Sequence, residues 1–318
     1  MLNPTARLLG LARAVAANSR RCRADVALFA PAARRARVVT FGAPAARPSA
    51  PPRGLPPRFA LCASRRADHK GVDVLLFAWS RLAAEGLRIP LVLCGTDHSR
   101  GKLTRLARRL GVADLVRDLG VLEHGALQAV MRRAEFLVLP SREEGFGLAA
   151  VEALAAGTPV LASRVGGIPE VVRSGREGLL VPPKDPAALA RAARRLWEDR
   201  RLRARLSAGA RRRAPRFSWK AACAAYARLA GIRPGARVAV VAWQDGRDQT
   251  GRAILHNALA GFAALGYRPS GIFEGGSLAR QVARRPEAWL VFVLRYRTVG
   301  RLARFCAARS LRPVVALC

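Results

Sequence analysis

Acidic side chains are scarce in this 318-residue sequence, where 21 Asp and Glu stand against 56 Lys and Arg and give a formal net charge of +35. Lysine is scarce too, with only Lys70, Lys102, Lys184 and Lys220, so arginine carries almost all of the positive charge. Such a charge attracts nucleic acids, anionic membranes or phosphorylated ligands, although arginine-rich codon usage alone also produces it. Aromatic residues make up only 6% and arginine is spread along the whole chain, so we predict no nucleic-acid partner.

Long apolar runs are absent as well. The best candidate, residues 289–294, is interrupted by Arg295 and Arg297, far short of the roughly 20 apolar residues that cross a bilayer. The first 21 residues lack a compact apolar segment followed by a cleavage site, so we interpret them as part of the fold. Hydrophobic residues make up 51%, which excludes disorder throughout. We expect a cytoplasmic protein, with peripheral contact at the anionic inner face of the membrane as a secondary hypothesis.

Cysteine patterns of metal or redox sites are also missing. The six cysteines show no C-x-x-C spacing and no histidine at zinc-ligand offsets. We therefore predict reduced thiols, most of them in hydrophobic cores, and no metal site.

The sequence does contain, between residues 58 and 230, a repeated alternation of short apolar runs and longer helical periodicities. This alternation is typical of a parallel sheet with helical crossovers. We predict an α/β fold in which a doubly wound parallel sheet is flanked by partial α/β units. The predicted strands span residues 59–63, 91–95, 116–119, 136–140, 159–162 and 178–181.

A glycine loop between a predicted strand and a predicted helix has the richest chemistry. Gly145 and Gly147 allow the backbone amides to approach a ligand, and the positive end of the following helix suits a phosphate or electron-rich sugar oxygens. Glu144 in the loop and Glu152 in the helix can face one cleft at the carboxyl edge of the sheet and accept hydrogen bonds from sugar hydroxyls. The alternative is an ordinary capped helix with a solvated pair of glutamates.

Two further loops follow predicted strands. Residues 165–170 contain two glycines and place Pro169 in the first turn of a helix. Residues 64–71 contain Arg65 and Lys70, two cations that can hold a diphosphate and stabilise it as a leaving group. Taken singly, residues 165–170 fit a tight turn into a short helix as well as a ligand loop, and residues 64–71 fit solvated charge as well as a diphosphate site. Three such loops at one sheet edge favour a ligand site.

These loops belong to an ordered series of motifs. The series runs through Arg65 with Lys70-Gly71, Leu93-Cys94-Gly95, Pro140-Ser141, Glu144-Gly145-Phe146-Gly147, Glu152-Ala153, Gly157-Thr158-Pro159, Gly166-Gly167-Ile168-Pro169-Glu170, Gly178-Leu179-Leu180-Val181-Pro182 and Phe217-Ser218-Trp219. In these motifs the sequence resembles family 4 (group 1) glycosyltransferases of the GT-B fold, over about residues 12–230. The resemblance implies a retaining transferase that moves a sugar from a nucleotide-diphosphate sugar to an acceptor hydroxyl of a glycan, lipid or metabolite, with no metal or other cofactor.

The resemblance also implies residue roles. Arg65 and Lys70 match the residues that grip the donor diphosphate, and Glu144 matches the one that contacts the donor sugar; these three are the predicted catalytic residues. The predicted donor-binding residues are Glu152 at the ribose, the main chain of Leu122 at the base, and the amides of Gly145, Phe146, Gly147 and Leu148 at the sugar or phosphate.

The sequence departs from the family pattern beside Arg65. The family's glycine before this arginine is Ser64 here, and its leucine after it is Arg66. We expect these changes to alter how closely the loop approaches the phosphate. None of His69, His98, His124 and His256 matches a catalytic position of the family, so each is interpreted as a solvated or satisfied histidine.

We predict a partial α/β unit on each side of the central domain, and we therefore expect the chain to be incomplete at both ends. The resemblance makes residues 1–43 a remnant of the N-terminal acceptor domain and residues 58–230 the nucleotide-sugar-binding domain, with a Pro- and Ala-rich linker at 44–57. Residues 231–318 form a partial second α/β domain with candidate strands at 237–242, 271–273, 289–294 and 313–317. That segment is the start of another GT-B unit, an unrelated accessory domain, or a permuted half that completes the first unit. Because the acceptor domain is short, a non-catalytic nucleotide-sugar-binding module is the alternative function.

Overall fold

The chain divides into two units in the structure, a computed structural model that describes residues 4–28, 30–43, 49–243, 249–273, 288–293, 299–308 and 313–317. The central unit is Ala45–Arg216, and the terminal unit combines Met1–Pro44 with Phe217–Cys318. Residues 44–48 of the predicted linker and Leu294, at the end of the predicted strand 289–294, lie outside the described residues.

Strands and helices alternate through both units. The described strands are β1 (Ala14–Ala17), β2 (Arg37–Val38), β3 (Ala60–Ala63), β4 (Leu91–Cys94), β5 (Val116–Asp118), β6 (Phe136–Leu139), β7 (Val160–Ser163), β8 (Gly178–Val181), β9 (Arg237–Trp243), β10 (Arg268–Phe273), β11 (Ala288–Val293) and β12 (Val314–Leu317). The described α-helices are α1 (Pro4–Leu11), α2 (Arg20–Ala27), α3 (Val72–Ala84), α4 (Lys102–Arg109), α5 (His124–Arg133), α6 (Leu148–Ala156), α7 (Ile168–Val171), α8 (Pro186–Glu198), α9 (Arg200–Arg213), α10 (Trp219–Ala230), α11 (Gln249–Ala263) and α12 (Val299–Ala308).

The central unit is a doubly wound parallel sheet, which confirms the predicted fold class. Its six described strands pair in the order β5-β4-β3-β6-β7-β8, and every pairing is parallel. All residues of β3, β4, β6 and β7 are buried, because helices cover both faces of a parallel sheet. Two-sided burial explains why these strands read as continuous apolar runs in the sequence, without alternation.

The direction of strand addition reverses between β3 and β6. The chain builds β3, β4 and β5 toward one edge of the sheet and then β6, β7 and β8 toward the other. β3 and β6 pair directly, with Ala60 opposite Phe136 and Leu61 opposite Leu137. In open α/β sheets, ligands bind in the crevice at the carboxyl ends of the strands where the order reverses. The loops after β3 and β6 therefore border the favoured ligand position.

The terminal unit is built from both ends of the chain. Its described strands pair in the order β10-β9-β11-β12-β1-β2, again all parallel. β1 lies between β12 and β2, and its register with β12 runs from Ala14 opposite Val314 to Ala17 opposite Leu317. One buried cluster joins Leu8 and Val26 from the first segment to Cys306 and Val315 from the last. Residues 231–318 therefore share a sheet with the first segment of the chain.

Helix α10 groups with the terminal unit, although its residues fall within the sequence-predicted domain of residues 58–230. The reason lies in its contacts, since the Trp219 ring stacks on Phe41 with centroids 5.3 Å apart and the Cys223 thiol donates to the Ala258 carbonyl at 3.5 Å. Gly42 has no room for a side chain, because an added Cβ would lie 2.2 Å from the Trp219 backbone nitrogen.

Two other sequence predictions concern cysteines and membrane spans. The five cysteines in the described ranges, Cys22, Cys62, Cys94, Cys223 and Cys306, are buried and free, as predicted. Burial raises the pKa of the Cys62 thiol to about 11. In the described part of the chain, no helix has the length and apolar character needed to cross a bilayer.

Candidate functional site

The loops that follow β3 and β6 are fastened to each other at the carboxyl edge of the central sheet. The Arg142 backbone N–H donates to the His69 carbonyl at 2.8 Å. The Arg142 guanidinium donates to both carboxylate oxygens of Asp73, at 2.8 and 2.6 Å, and to the Asp68 carbonyl at 2.6 Å. Partial burial acts to raise the pKa of Asp73, but the hydrogen bonds and positive charge of Arg142, together with backbone hydrogen bonds, outweigh it and hold this pKa below its usual value. Arg142 therefore fixes the loop of residues 64–71 against the loop of residues 140–147.

Gly71 marks the closest approach between these loops. Its φ is +65°, and an added Cβ would lie 2.1 Å from the Pro140 carbonyl oxygen. Gly111 has nearly the same dihedral, φ +66°, but open space around the Cβ position. A comparison of substitutions at Gly71 and Gly111 therefore separates the energetic cost of a left-handed backbone from the cost of the contact with Pro140.

We expect Gly71→Ala to destabilise the protein more than Gly111→Ala. The left-handed backbone alone costs roughly 1–2 kcal/mol, and the collision with Pro140 adds about 1–3 kcal/mol at Gly71. Urea unfolding of both variants measures the difference. Equal losses of unfolding free energy in the two variants would mean that the two loops can move apart at Gly71 without cost.

Lys70 and Glu144, predicted from the sequence as catalytic residues, meet at the switch point. Lys70 Nζ lies 2.7 Å from Glu144 Oε2, and the Ser141 hydroxyl donates to the same oxygen at 3.4 Å. The two charged side chains are only 13% and 16% exposed. Lys70 comes from the loop after β3 and Glu144 from the loop after β6, so two distant sequence segments supply one partly buried ion pair.

The loop also carries positive potential. Burial and the neighbouring cations Lys70 and Arg65 lower the pKa of His69. Arg65 thus lies close enough to Lys70 for both charges to act on one imidazole. Two cations at this edge can receive the negative charge of a diphosphate.

The glycine loop before α6 is shaped by the second glycine loop, residues 165–170. The Gly167 N–H donates to the Gly145 carbonyl at 3.1 Å and to the Glu144 carbonyl at 3.3 Å. Gly166 has a φ of +53°, and an added Cβ would lie 1.5 Å from the Glu144 carbonyl oxygen. The second loop therefore supports the main chain that carries Glu144. Gly147, the N-cap of α6, makes no side-chain hydrogen bond to the first-turn amides.

Glu152 is a mostly buried carboxyl on α6. Its side chain is 16% exposed, and burial raises its pKa from 4.5 to about 7. His124 Nδ1, at the start of α5, lies 3.9 Å from Glu152 Oε1. The sequence predicts a solvated or satisfied histidine at position 124, because His124 matches no catalytic position of the family, and no local pattern links it to a glutamate 28 residues later. The available signal was its position two residues after Leu122.

We expect Glu152→Gln to change how stability depends on pH. Between pH 4.5 and 7 the folded protein keeps a proton on Glu152 that the unfolded chain releases, so folding stability falls as the pH rises through this window. The neutral glutamine removes this loss. Chemical unfolding should show the variant gaining up to roughly 3 kcal/mol on the wild type between pH 5 and pH 8. A stability difference that is constant with pH would indicate a normally titrating Glu152.

The departures from the family pattern around Arg65 also have a structural outcome. Arg66 is 6% exposed, and its guanidinium lies 3.0 Å from Asp118 and 3.7 Å from Asp97. The additional arginine is therefore neutralised by acids after β4 and at the end of β5. Leu122 lies in the half-buried turn between β5 and α5. Within the described ranges, no three His, Cys, Asp or Glu side chains are grouped as a metal site.

A doubly wound α/β unit with charged and glycine loops at its switch point defines a domain of the nucleotide-binding class. The family model for glycosyl transferases group 1 matches residues 49–213, and the chain belongs to this family. The family resemblance stated from the motifs is thereby confirmed.

The curated relatives are similar over part of their length. A D-inositol 3-phosphate glycosyltransferase of Streptomyces bingchenggensis is 42% identical over 185 residues, which cover 55% of this chain and 41% of that protein. The enzyme of the same name from Streptomyces avermitilis is 43% identical over 176 residues, which cover 52% of this chain and 38% of that protein. The chain thus matches about two fifths of these relatives.

Solved structures share the fold. Sucrose-phosphate synthase of Thermosynechococcus elongatus superposes with a TM-score of 0.59 at 28% identity, over 68% of this chain and 56% of that one. HepE of Anabaena, solved in complex with UDP and glucose, has a TM-score of 0.55 at 24% identity, over 64% of this chain and 58% of its own.

Proposed function

We propose that the protein transfers a sugar from a nucleotide-diphosphate sugar to an acceptor hydroxyl. The observation that carries the proposal is the partly buried pair of Lys70 Nζ and Glu144 Oε2, 2.7 Å apart at the switch point. A donor of this kind presents a diphosphate beside a sugar, and the pair presents a cation beside a hydrogen-bond acceptor for hydroxyls. Family membership over residues 49–213 supports the same reaction class.

Each predicted residue has a task in this proposal. Arg65 and Lys70 hold the diphosphate, and Glu144 accepts a hydrogen bond from the donor sugar. Glu152 accepts from the ribose hydroxyls beside His124. The amides of Gly145, Phe146, Gly147 and Leu148 meet the sugar or phosphate, and the main chain of Leu122 meets the base.

The proposed reaction retains the configuration of the transferred sugar. The bond between the anomeric carbon and the phosphate oxygen breaks, and the acceptor oxygen bonds to the same face of that carbon. The acceptor proton passes to the departing phosphate oxygen, while Arg65 and Lys70 stabilise the charge that develops there. Because these two cations supply the charge stabilisation, we propose that no metal is required.

We also propose that the terminal unit serves the acceptor. Its parallel sheet joins residues 14–38, which resemble the closing segment of the family's acceptor domain, to residues 237–273, which resemble an opening βαβ unit. D-inositol 3-phosphate, named for the curated relatives, is the first acceptor to test; a lipid-linked acceptor would bring the protein to the inner face of a membrane.

A transfer assay tests these proposals. The full chain is incubated with UDP-, GDP- or ADP-linked sugars and D-inositol 3-phosphate or a glycan acceptor, with and without EDTA. We expect a product with retained anomeric configuration by NMR and an unchanged rate in EDTA. Inversion would refute the retaining mechanism, and loss of activity in EDTA would refute metal independence. Tight nucleotide binding with neither transfer nor donor hydrolysis would instead support the non-catalytic binding module.

A further inference from the structure

Apart from the candidate donor site, the central unit has a cavity that is lined mainly by arginine. It has a volume of about 400 Å³ and lies between the turn after α7 and the C-terminal half of α9 with the turn that follows. We call it the arginine cavity. The arginines on its wall are Arg173, Arg176, Arg205, Arg212, Arg213 and Arg216. None of the donor-site residues belongs to this set.

The wall of the arginine cavity is fixed by buried contacts. Gly209 brings α9 directly onto the turn, since an added Cβ would lie 1.9 Å from the Arg176 carbonyl oxygen. Glu177 is fully buried and accepts hydrogen bonds from the Arg173 backbone N–H at 2.8 Å and from its Nε at 3.1 Å. Arg213 donates to the carbonyls of Glu170 and Val171, both at 2.6 Å. Contacts within the protein therefore hold this wall of the arginine cavity in place.

The remaining arginines have no protein partner that accounts for their grouping. Among the described residues, the side chains of Arg176, Arg205, Arg212 and Arg216 form no hydrogen bond or ion pair, and Glu177 is the one acid on the wall. Six arginines against one glutamate leave a formal charge of +5 around one concave space. Guanidinium groups match the oxygens of a phosphate in pairs, and grouping them without an anion costs stability through repulsion.

We propose that the arginine cavity binds a phosphate group separate from the donor diphosphate. Its size falls in the range of small-ligand sites, roughly 300–1,000 Å³, and exceeds what one phosphate fills. The ligand is therefore a phosphomonoester on a larger body, either a free metabolite or the headgroup of an anionic lipid.

Two pairs of substitutions separate this site from general charge. Arg212→Gln/Arg216→Gln removes two free arginines from the cavity. Arg108→Gln/Arg109→Gln removes the same charge from two exposed arginines in the last turn of α4, as Arg212 lies in the last turn of α9. Arg65→Gln removes a donor-site cation, and Arg176→Gln/Arg205→Gln repeats the cavity test at other positions. Thermal unfolding checks that each variant is folded.

Inorganic phosphate, titrated by calorimetry into the full chain, probes the free-phosphate source. Vesicles of phosphatidylcholine containing phosphatidic acid, in a sedimentation assay, probe the lipid source. We expect both cavity variants to bind at least one probe about tenfold or more weakly, because each variant loses charge-assisted hydrogen bonds to the phosphate. The α4 pair should stay within about twofold of the wild type, and Arg65→Gln, which removes a donor-site cation, should leave the binding at the arginine cavity in place.

The probe that loses affinity for the cavity variants identifies the source of the phosphate group. A loss confined to phosphate supports a free phosphomonoester, and a loss confined to phosphatidic acid vesicles supports a headgroup. Equal weakening in the α9 and α4 pairs would overturn the site in favour of general charge attraction. Binding that disappears only with Arg65→Gln would assign the phosphate to the donor site, and absence of binding to either probe would also overturn the proposal.

Discussion

Replacing Glu144 by glutamine should lower the rate of sugar transfer by roughly 10²–10³-fold while leaving nucleotide diphosphate affinity unreduced. The carboxylate holds Lys70 at 2.7 Å, and in the proposed reaction it also orients the donor sugar. Without it, Lys70 keeps its charge and turns fully to the diphosphate. Lys70→Gln should behave differently, because it removes a phosphate-binding cation and leaves Glu144 buried without its partner, so affinity and rate fall together.

Glu143→Gln is the matched control for Glu144→Gln. It removes the same charge one residue earlier, from an exposed side chain outside the Lys70 pair. Calorimetry with a nucleoside diphosphate and a donor-turnover assay, run on all three variants, measure the two effects. If Glu143→Gln reduces turnover as much as Glu144→Gln, the pair with Lys70 is not part of the reaction. If Glu144→Gln weakens nucleotide binding as strongly as Lys70→Gln, the proposed division between phosphate and sugar contacts is wrong.

The central unit could be predicted from the sequence because its signals are local. Strands such as β6 are buried on both faces and appear as uninterrupted apolar runs, and every predicted strand of this unit lies within one residue of its observed ends. Glycines at the strand ends mark where loops begin. The residue types at those loops then indicate which edge of the sheet carries chemistry.

The terminal unit shows what local patterns do not contain. Each of its strands has an apolar pattern, but the pairing of β1 with β12 joins residues about 300 positions apart. Nothing in either segment specifies that partner, because both strands are short, apolar and free of register markers. Topology in such a case depends on the shared core, in which Leu8 and Val26 pack with Cys306 and Val315.

At the candidate site, the residue types could be predicted from the sequence, but the contacts that hold them in place could not. Lys70 and Glu144 follow from charge beside glycine loops. The bond from Arg142 to Asp73 links residues 69 positions apart, and the contact of His124 with Glu152 joins different helices. Arg66 appeared as an added positive charge at the ligand loop, whereas its buried pairing with Asp118 neutralises it. Long-range electrostatic pairing of this kind is a property of the folded chain.

Val315→Asp should unfold the terminal unit and leave the central unit intact. Val315 is fully buried at the middle of β12, opposite Val291 on one side and Val15 on the other. An unpaired carboxylate there should cost about 4–5 kcal/mol, a large part of the stability of a typical domain. Hydrogen exchange measured by mass spectrometry should show loss of protection in residues 14–38 and 313–317, but not in β3, β4 and β6.

Leu28→Asp is the matched control, because Leu28 also lies in the terminal unit but is 86% exposed. It introduces the same carboxylate without burying it, so protection should remain. The decisive readout is β1, which is far from residue 315 in sequence and adjacent to it in the sheet. Continued protection of residues 14–17 in Val315→Asp would mean that β1 does not depend on β12, and the two chain ends would then not share one core.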